Sequence, residues 1–268
     1  MENPTSFIHD YIRALTNLNG VKSIGKSGGT EIPLESGADI DLFVLCDHIP
    51  PEPERDALAR SFGDVFDEVV HLGESKHWGV NDLHRAGDIE IFVMYFLIDR
   101  TVEYIDSILA GDRPDKEDGF FYPTGRCATL LNMGIFYDEV GFLQSMRARL
   151  QTYPAALSEK LSAYHISRLR DSEGFERAIM RADPFEYHAV LEISLDHFFQ
   201  GIFALNRVFF PSRKRNIQYI RDFSIKPPNC EERLYQMISL GGSPETIGQS
   251  YEIWLGLIAD TENLLQNK

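Results

Sequence analysis

"GKSGGTEIPLESGADIDLFVLC", residues 25–46, decides how this chain is read. A loop carrying Gly25, Gly28 and Gly29 runs into Asp39 and Asp41, which head an apolar run over 42–46. If residues 39–45 form a strand, alternate side chains share a face. Asp39 and Asp41 then project side by side, and Ile40, Leu42 and Val44 supply the buried set. Two carboxylates so placed repel unless a positive group lies between them. A divalent cation answers that need, because magnesium takes oxygen ligands, often one or two carboxylates plus substrate phosphates. The competing reading is an acidic strand end in water, since D-x-D is short and common.

Composition narrows the field. At 268 residues the chain is long enough for one large domain or two ordinary ones. A hydrophobic fraction of 43% and a charged fraction of 25% are those of a soluble globular protein. No apolar run approaches a membrane span, and "MENPTSFIHD" lacks a basic leader and an apolar core, so a cytoplasmic location is expected. Cys46, Cys127 and Cys230 are widely separated, which implies neither a disulfide framework nor a cysteine metal site.

The net charge of −15 is unevenly spread. Residues 1–115 hold 9 Lys and Arg against 22 Asp and Glu, and residues 116–268 hold 17 against 19. An acidic front half repels a nucleic-acid backbone and argues against nucleic-acid binding. It attracts cations, either metal ions or a polyamine-like substrate.

Periodicity divides the chain in the same place. Phe7, Ile8, Tyr11, Ile12 and Leu15 stand at helical spacing, and Asn19-Gly20 ends that helix in a turn. "VKSIGK" predicts a short strand before the glycine loop, "DIDLFVLC" a buried strand, and "DEVVHL" a third candidate. A short helix is expected from about residue 53. After a polar interval, "GDIEIFVMYFLI" over 87–98 is the strongest strand signal. The Gly, Pro and charge-rich segment 110–125 reads as a linker, and the period beyond it is helical throughout. Helices are expected in "EVGFLQSMRARLQTY", "PAALSEKLSAYHISRLR" and "SEGFERAIMRA". Asp183-Pro184 predicts the cap and first position of a long helix striped by Leu191, Leu195, Phe198, Ile202 and Leu205. A last amphipathic helix closes the chain. The expected fold is α+β, with a small mixed sheet and flanking helices over 1–115 and an all-α bundle over 116–268.

The strand at 87–98 repeats the acidic theme, because Asp88 and Glu90 alternate with Ile89 and Ile91. A carboxylate on a neighbouring strand completes a trio suited to phosphoryl transfer: two ions clamp the attacking and leaving oxygens, and the third acid binds an ion or accepts a proton. Either Asp88 or Glu90 can fill the role, and Glu90 lies deeper in the apolar run. The glycines before Asp39 allow amide N–H groups to approach a triphosphate. Gly25-Lys26-Ser27 also ends like a P-loop, but Gly20 stands five residues before Gly25 and no long helix is expected to follow.

A strand, a glycine loop with a serine, then S-x-x-D-I-D-L-x-V and a later strand with an acid together resemble the DNA polymerase beta-like nucleotidyltransferase superfamily. Its small bacterial members include aminoglycoside and lincosamide nucleotidyltransferases and antitoxin-type minimal forms. The resemblance covers residues 21–95. It implies that Asp39, Asp41 and Glu90 are the catalytic and metal-binding acids, that two Mg2+ ions are the cofactor, and that a nucleoside triphosphate, ATP foremost, is the co-substrate. It places Gly25, Ser27 and Gly28 in a phosphate loop, with Thr30 as an alternative hydroxyl to Ser27. Gly37-Ala38 stands where the family commonly has serine, with Ser36 one place earlier still.

In the helical half, Arg207, Arg213, Lys214, Arg215 and Arg221 form a basic island in an otherwise neutral stretch. One reading is a solvated helix end. The other has Pro211 start a short helix that presents Lys214, or Arg213 beside it, to the triphosphate. The pattern L-N-R-x-F-F-P-x-x-K over 205–214 resembles an uncharacterised bacterial family whose helical tail has no assigned role. The eight histidines show no zinc spacing. The function expected is Mg-dependent transfer of a nucleoside monophosphate to a hydroxyl of a small, cationic, aminoglycoside-like molecule or of a protein, with release of pyrophosphate. The alternative is a non-catalytic nucleotide-binding regulator or antitoxin-like partner of the same fold.

Overall fold

The structure is a computed structural model in which residues 6–32, 39–119, 121–170 and 172–267 are described. Contacts gather the chain into two compact units, one of residues 1–106 with 126–152 and the other of 107–125 with 153–268. The two are therefore interleaved over 107–152, where the sequence suggests a single break after 115.

The first unit contains α1 (Ser6–Leu15), β1 (Val21–Lys26), β2 (Asp39–Cys46), α2 (Glu52–Arg60), β3 (Glu68–Ser75), β4 (Gly79–Ala86) and β5 (Ile89–Leu97). Helices α3 (Ile98–Leu109) and α4 (Pro123–Asn132) carry the chain across the unit boundaries, and β6 (Gly134–Asp138) and α5 (Phe142–Leu150) complete it. The strands form one mixed sheet in the order β3-β4-β5-β2-β1-β6. Only the central pair β2 and β5 is parallel; the other neighbours run antiparallel. This is an α+β architecture. β2 occupies the middle because residues 42–46 are apolar on both faces, as a strand buried on both sides requires. Ile40, Leu42, Val44 and Cys46 pack on one face with Ile8, Tyr11, Ile12 and Leu15 of α1 and Ala59 of α2.

Two strands differ from expectation. β4, "GVNDLHRA", lies within the polar interval, and its buried inward groups are Asp82 and His84. They are tolerated there because Arg55 donates to Asp82 from Nε at 2.8 Å and from Nη2 at 3.2 Å, His71 Nδ1 lies 2.6 Å from Asp82, and Tyr11 and His84 Nε2 are 2.7 Å apart. Buried polar groups need such partners. β6 corrects the reading that everything past residue 115 is helical. It is a five-residue edge strand paired with β1, too short to announce itself by alternation alone.

The second unit is helical, with α6 (Ala155–Ile166), α7 (Ser172–Met180), α8 (Pro184–Leu205), α9 (Asn216–Asp222), α10 (Cys230–Leu240) and α11 (Ile247–Gln266). The expected stripe of α8 is buried in full, and the core also takes in Phe175, Tyr187, Leu234, Trp254 and Leu257. Asp183 caps α8 by accepting from the N–H groups of Phe185 and Glu186, with Pro184 opening the first turn. The three cysteines Cys46, Cys127 and Cys230 are free and buried. Among the described residues, no helix is long and apolar enough to cross a membrane.

Candidate functional site

The parallel pairing of β2 with β5 sets the site. Asp39 is registered against Glu90 and Asp41 against Phe92. Partners across a ladder point to the same side, and so do residues two apart on one strand. Asp39, Asp41 and Glu90 therefore occupy one face at the head of the central strands, opposite the face that packs on α1 and α2. Asp39 is exposed, while Asp41 and Glu90 are half-buried. Asp88 is exposed and precedes the first residue of β5, so Glu90 is the acid in register with the aspartates.

Like charges directly opposite one another are destabilising. A cation that the sequence reading did not single out offsets them. Arg85 of β4 is registered against Glu90 and also against Glu68 of β3. Its Nε and Nη2 lie 2.9 and 2.7 Å from Glu90 Oε1, and its Nη1 lies 2.9 Å from Glu68. Only the register of three strands reveals this contact.

The glycine loop leaves β1 beside Asp41, because the N–H of Ser27 donates to the Asp41 carbonyl at 3.0 Å. The backbone donor of Ser27 is thus committed to the end of the β1–β2 ladder, and its hydroxyl remains the group that can reach outward. Gly28 and Gly29 hold φ of +76° and +95°, a left-handed conformation that suits glycine, and a Cβ on either would meet nothing within 4 Å. Gly25 serves packing instead. It lies inside β1, paired on both sides, and a Cβ there would stand 2.1 Å from the Met133 sulfur. Gly134 likewise permits close packing, since a Cβ on it would come within 2.2 Å of the Gly29 carbonyl carbon. Thr30 is exposed in this loop. Ser36, Gly37 and Ala38 lie outside the described residues.

The backbone also disposes of the P-loop reading. Gly20 and Gly25 enclose four residues, which is the P-loop spacing, so spacing alone does not exclude that motif. The residues between them are extended in β1, and Ser27 opens a turn rather than a helix, so they form no phosphate cradle at a helix N-terminus.

Lys26 is buried, and its ammonium donates to the Ser27 carbonyl at 2.9 Å. Burial pushes its pKa down, while the charges of Asp41 and Glu31 push it back up. Lys22 is held by Glu139 at 3.0 Å.

The basic island belongs to the second unit. Pro211 does not start a helix; α9 begins at Asn216, after Arg215 in a left-handed conformation with φ of +62°. The preceding loop is tied down elsewhere: Thr124 donates to the Phe210 carbonyl at 3.0 Å, and Arg213 donates to Asp196 at 2.6 Å. Asp196 of α8 also receives Tyr122 at 2.6 Å and Lys116 at 2.7 Å. Burial alone would raise the Asp196 pKa, but these three donors outweigh it and lower it. Arg213 is therefore built into its own unit. Lys214 is exposed, with its backbone N–H donated to the Ser212 hydroxyl at 3.2 Å.

The donor chemistry at the head of β2 and β5 suits a hard divalent cation, since all three groups are carboxylates on one face. Among the described residues, however, no three His, Cys, Asp or Glu side chains converge closely enough to hold an ion. Glu90 is engaged by Arg85.

Comparison with known proteins adds little to this geometry. A family model described as a domain of unknown function, DUF4037, matches residues 122–215. No curated protein matches the chain. Among solved structures, the chain is similar to a nucleotidyltransferase-like protein from Exiguobacterium sibiricum, with 12% identity, a TM-score of 0.46, and coverage of 99% of this chain and 74% of that one.

Proposed function

We infer that the protein transfers a nucleoside monophosphate from a nucleoside triphosphate to an acceptor hydroxyl, with Mg2+ held at Asp39, Asp41 and Glu90. The observation that carries this reading is the register that sets Asp39 against Glu90, with Asp41 on the same face. Asp39 and Asp41 share that face, Glu90 is held by Arg85, and a divalent cation would relieve the repulsion between the two aspartates. When bound, magnesium neutralises phosphate charge and steadies the attacking and leaving oxygens.

The chain's own part is placement. The turn at Gly28 and Gly29 allows close approach of a phosphate, and the Ser27 hydroxyl offers a donor beside Asp41. As the acceptor oxygen bonds to the α-phosphorus, the bond to pyrophosphate breaks. A carboxylate of the acidic face takes the acceptor's proton. The acidic balance of residues 1–115 favours a cationic acceptor. Incubation with each labelled triphosphate, Mg2+ and a panel of amino sugars and proteins tests the reading. Pyrophosphate release that disappears in Asp39→Asn and Asp41→Asn supports it, and equal turnover by those variants refutes it.

A second reading, a nucleotide-binding regulator without turnover, is favoured by the engagement of Glu90 with Arg85. Mg-dependent triphosphate binding with no pyrophosphate released over the whole acceptor panel selects it.

A further inference from the structure

The acidic face carries its own cation. Glu68, Arg85, Glu90 and Asp39 stand at one level of β3, β4, β5 and β2, each registered against the next. Arg85 contacts Glu90 through two nitrogens and Glu68 through a third. The carboxylate opposite Asp39 is thereby drawn along the sheet toward β4. A dipositive ion that recruits Glu90 must take it from a guanidinium on the adjacent strand, about 5 Å away across the ladder.

We propose that Arg85 competes with the divalent cation for Glu90 and so sets the metal affinity of the site. The inference rests on the reading of Asp39, Asp41 and Glu90 as metal ligands. Its physical basis is exchange. The side chains of Arg85 and Glu90 are 46% and 35% exposed, so water can replace either partner as the contact opens. An exposed pair of this kind contributes little net stability and is easily exchanged. Until it exchanges, the guanidinium adds repulsion for any cation held by Asp39 and Asp41, and it denies the site its third carboxylate. Arg85 acts only through Glu90 and the local field, and is a positioning residue.

The test is binding of Mn2+ alone to the full chain, read from the electron paramagnetic resonance signal of the free ion. Arg85→Gln should bind Mn2+ roughly three- to tenfold more tightly than wild type at low ionic strength. Arg85→Lys, which keeps the charge, should retain most of the weak wild-type affinity, and the double variant Arg85→Gln with Glu90→Gln should lose the gain. Circular dichroism melting checks that each variant is folded. If Asp39→Asn with Asp41→Asn loses Mn2+ while Arg85→Gln binds no better than wild type, the competition is overturned and the metal reading stands. If the double aspartate variant binds Mn2+ like wild type, both fall together.

Discussion

Strand β4 presents two arginine–carboxylate contacts, one on each face of the sheet, and they behave as opposites. On the face covered by α1 and α2, Arg55 and Asp82 are only 5% and 1% exposed. Arg55 is further fixed by the Pro50 carbonyl at 2.7 Å, and His71 joins Asp82 to Asp56. On the other face, Arg85 and Glu90 make an equally close contact in water's reach. Burial converts the first contact into a part of the fold, because neither charge can be left alone in a dry interior. Exposure leaves the second free to exchange, and exchange is what a binding site needs. Similar chemistry is thus locked into the fold on one side of a strand and left exchangeable on the other.

Cutting the buried contact should produce the largest effect. Asp82→Ala leaves Arg55 without its carboxylate and should cost about 3–5 kcal/mol in urea unfolding. A loss no larger than that of a surface substitution would erase the distinction between the faces.

Acid probes the same buried side. Burial pushes the His84 imidazole down to about 4, with the charge of Asp82 opposing the shift. Below the unfolded value near 6.5 the unfolded chain takes up a proton that the native state refuses, so stability falls as pH drops toward 4. The expected loss is about 3 kcal/mol in all. Burial also lowers His71, but its hydrogen bonds to Asp82 and Asp56 outweigh that and raise it above 6.5. Its contribution is complete below 6.5 and is lost as pH rises through the elevated value. His84→Gln should flatten the acid limb of a stability–pH curve and leave the alkaline limb, measured by denaturant titration from pH 4 to 8.

On the open face, Asp41→Asn should lower pyrophosphate release at least about a hundredfold, the scale seen when metal sites lose supporting groups. The unfolding midpoint should change little, since relief of like-charge repulsion offsets the lost attraction to Lys26. A variant that unfolds as readily as Asp82→Ala would show Asp41 to be structural. The smallest effect is expected for Arg85→Gln, whose melting temperature should match wild type because exposed ion pairs contribute little. A marked destabilisation would make the two faces alike.

What was legible in sequence follows from what is local. The apolar run of "DIDLFVLC" with its two leading aspartates shows a strand and its acidic head, because strand alternation is a property of neighbouring residues. The same holds for "GDIEIFVMYFLI" and for the cap and stripe of α8. β4 was not legible. Its pattern is polar, and the Arg55, His71 and Tyr11 that make Asp82 and His84 acceptable come from α2, β3 and α1. The helix expected from Pro211 gave way to long-range ties, with Thr124 holding Phe210 and Asp196 holding Arg213.

By itself, then, the chain determined where β1, β2, β3, β5 and the long helices lie and which acids head the central strands, since these depend on spacing within about ten residues. The tertiary structure decided the pairing. Parallel registration of β2 on β5 selected Glu90 over Asp88 as the acid facing Asp39, and β4 brought Arg85 onto Glu90. Packing gave Gly25 and Gly134 their roles against Met133 and Gly29. The physical reason is that register and close approach are settled by partners distant in sequence, whose identity no local period records.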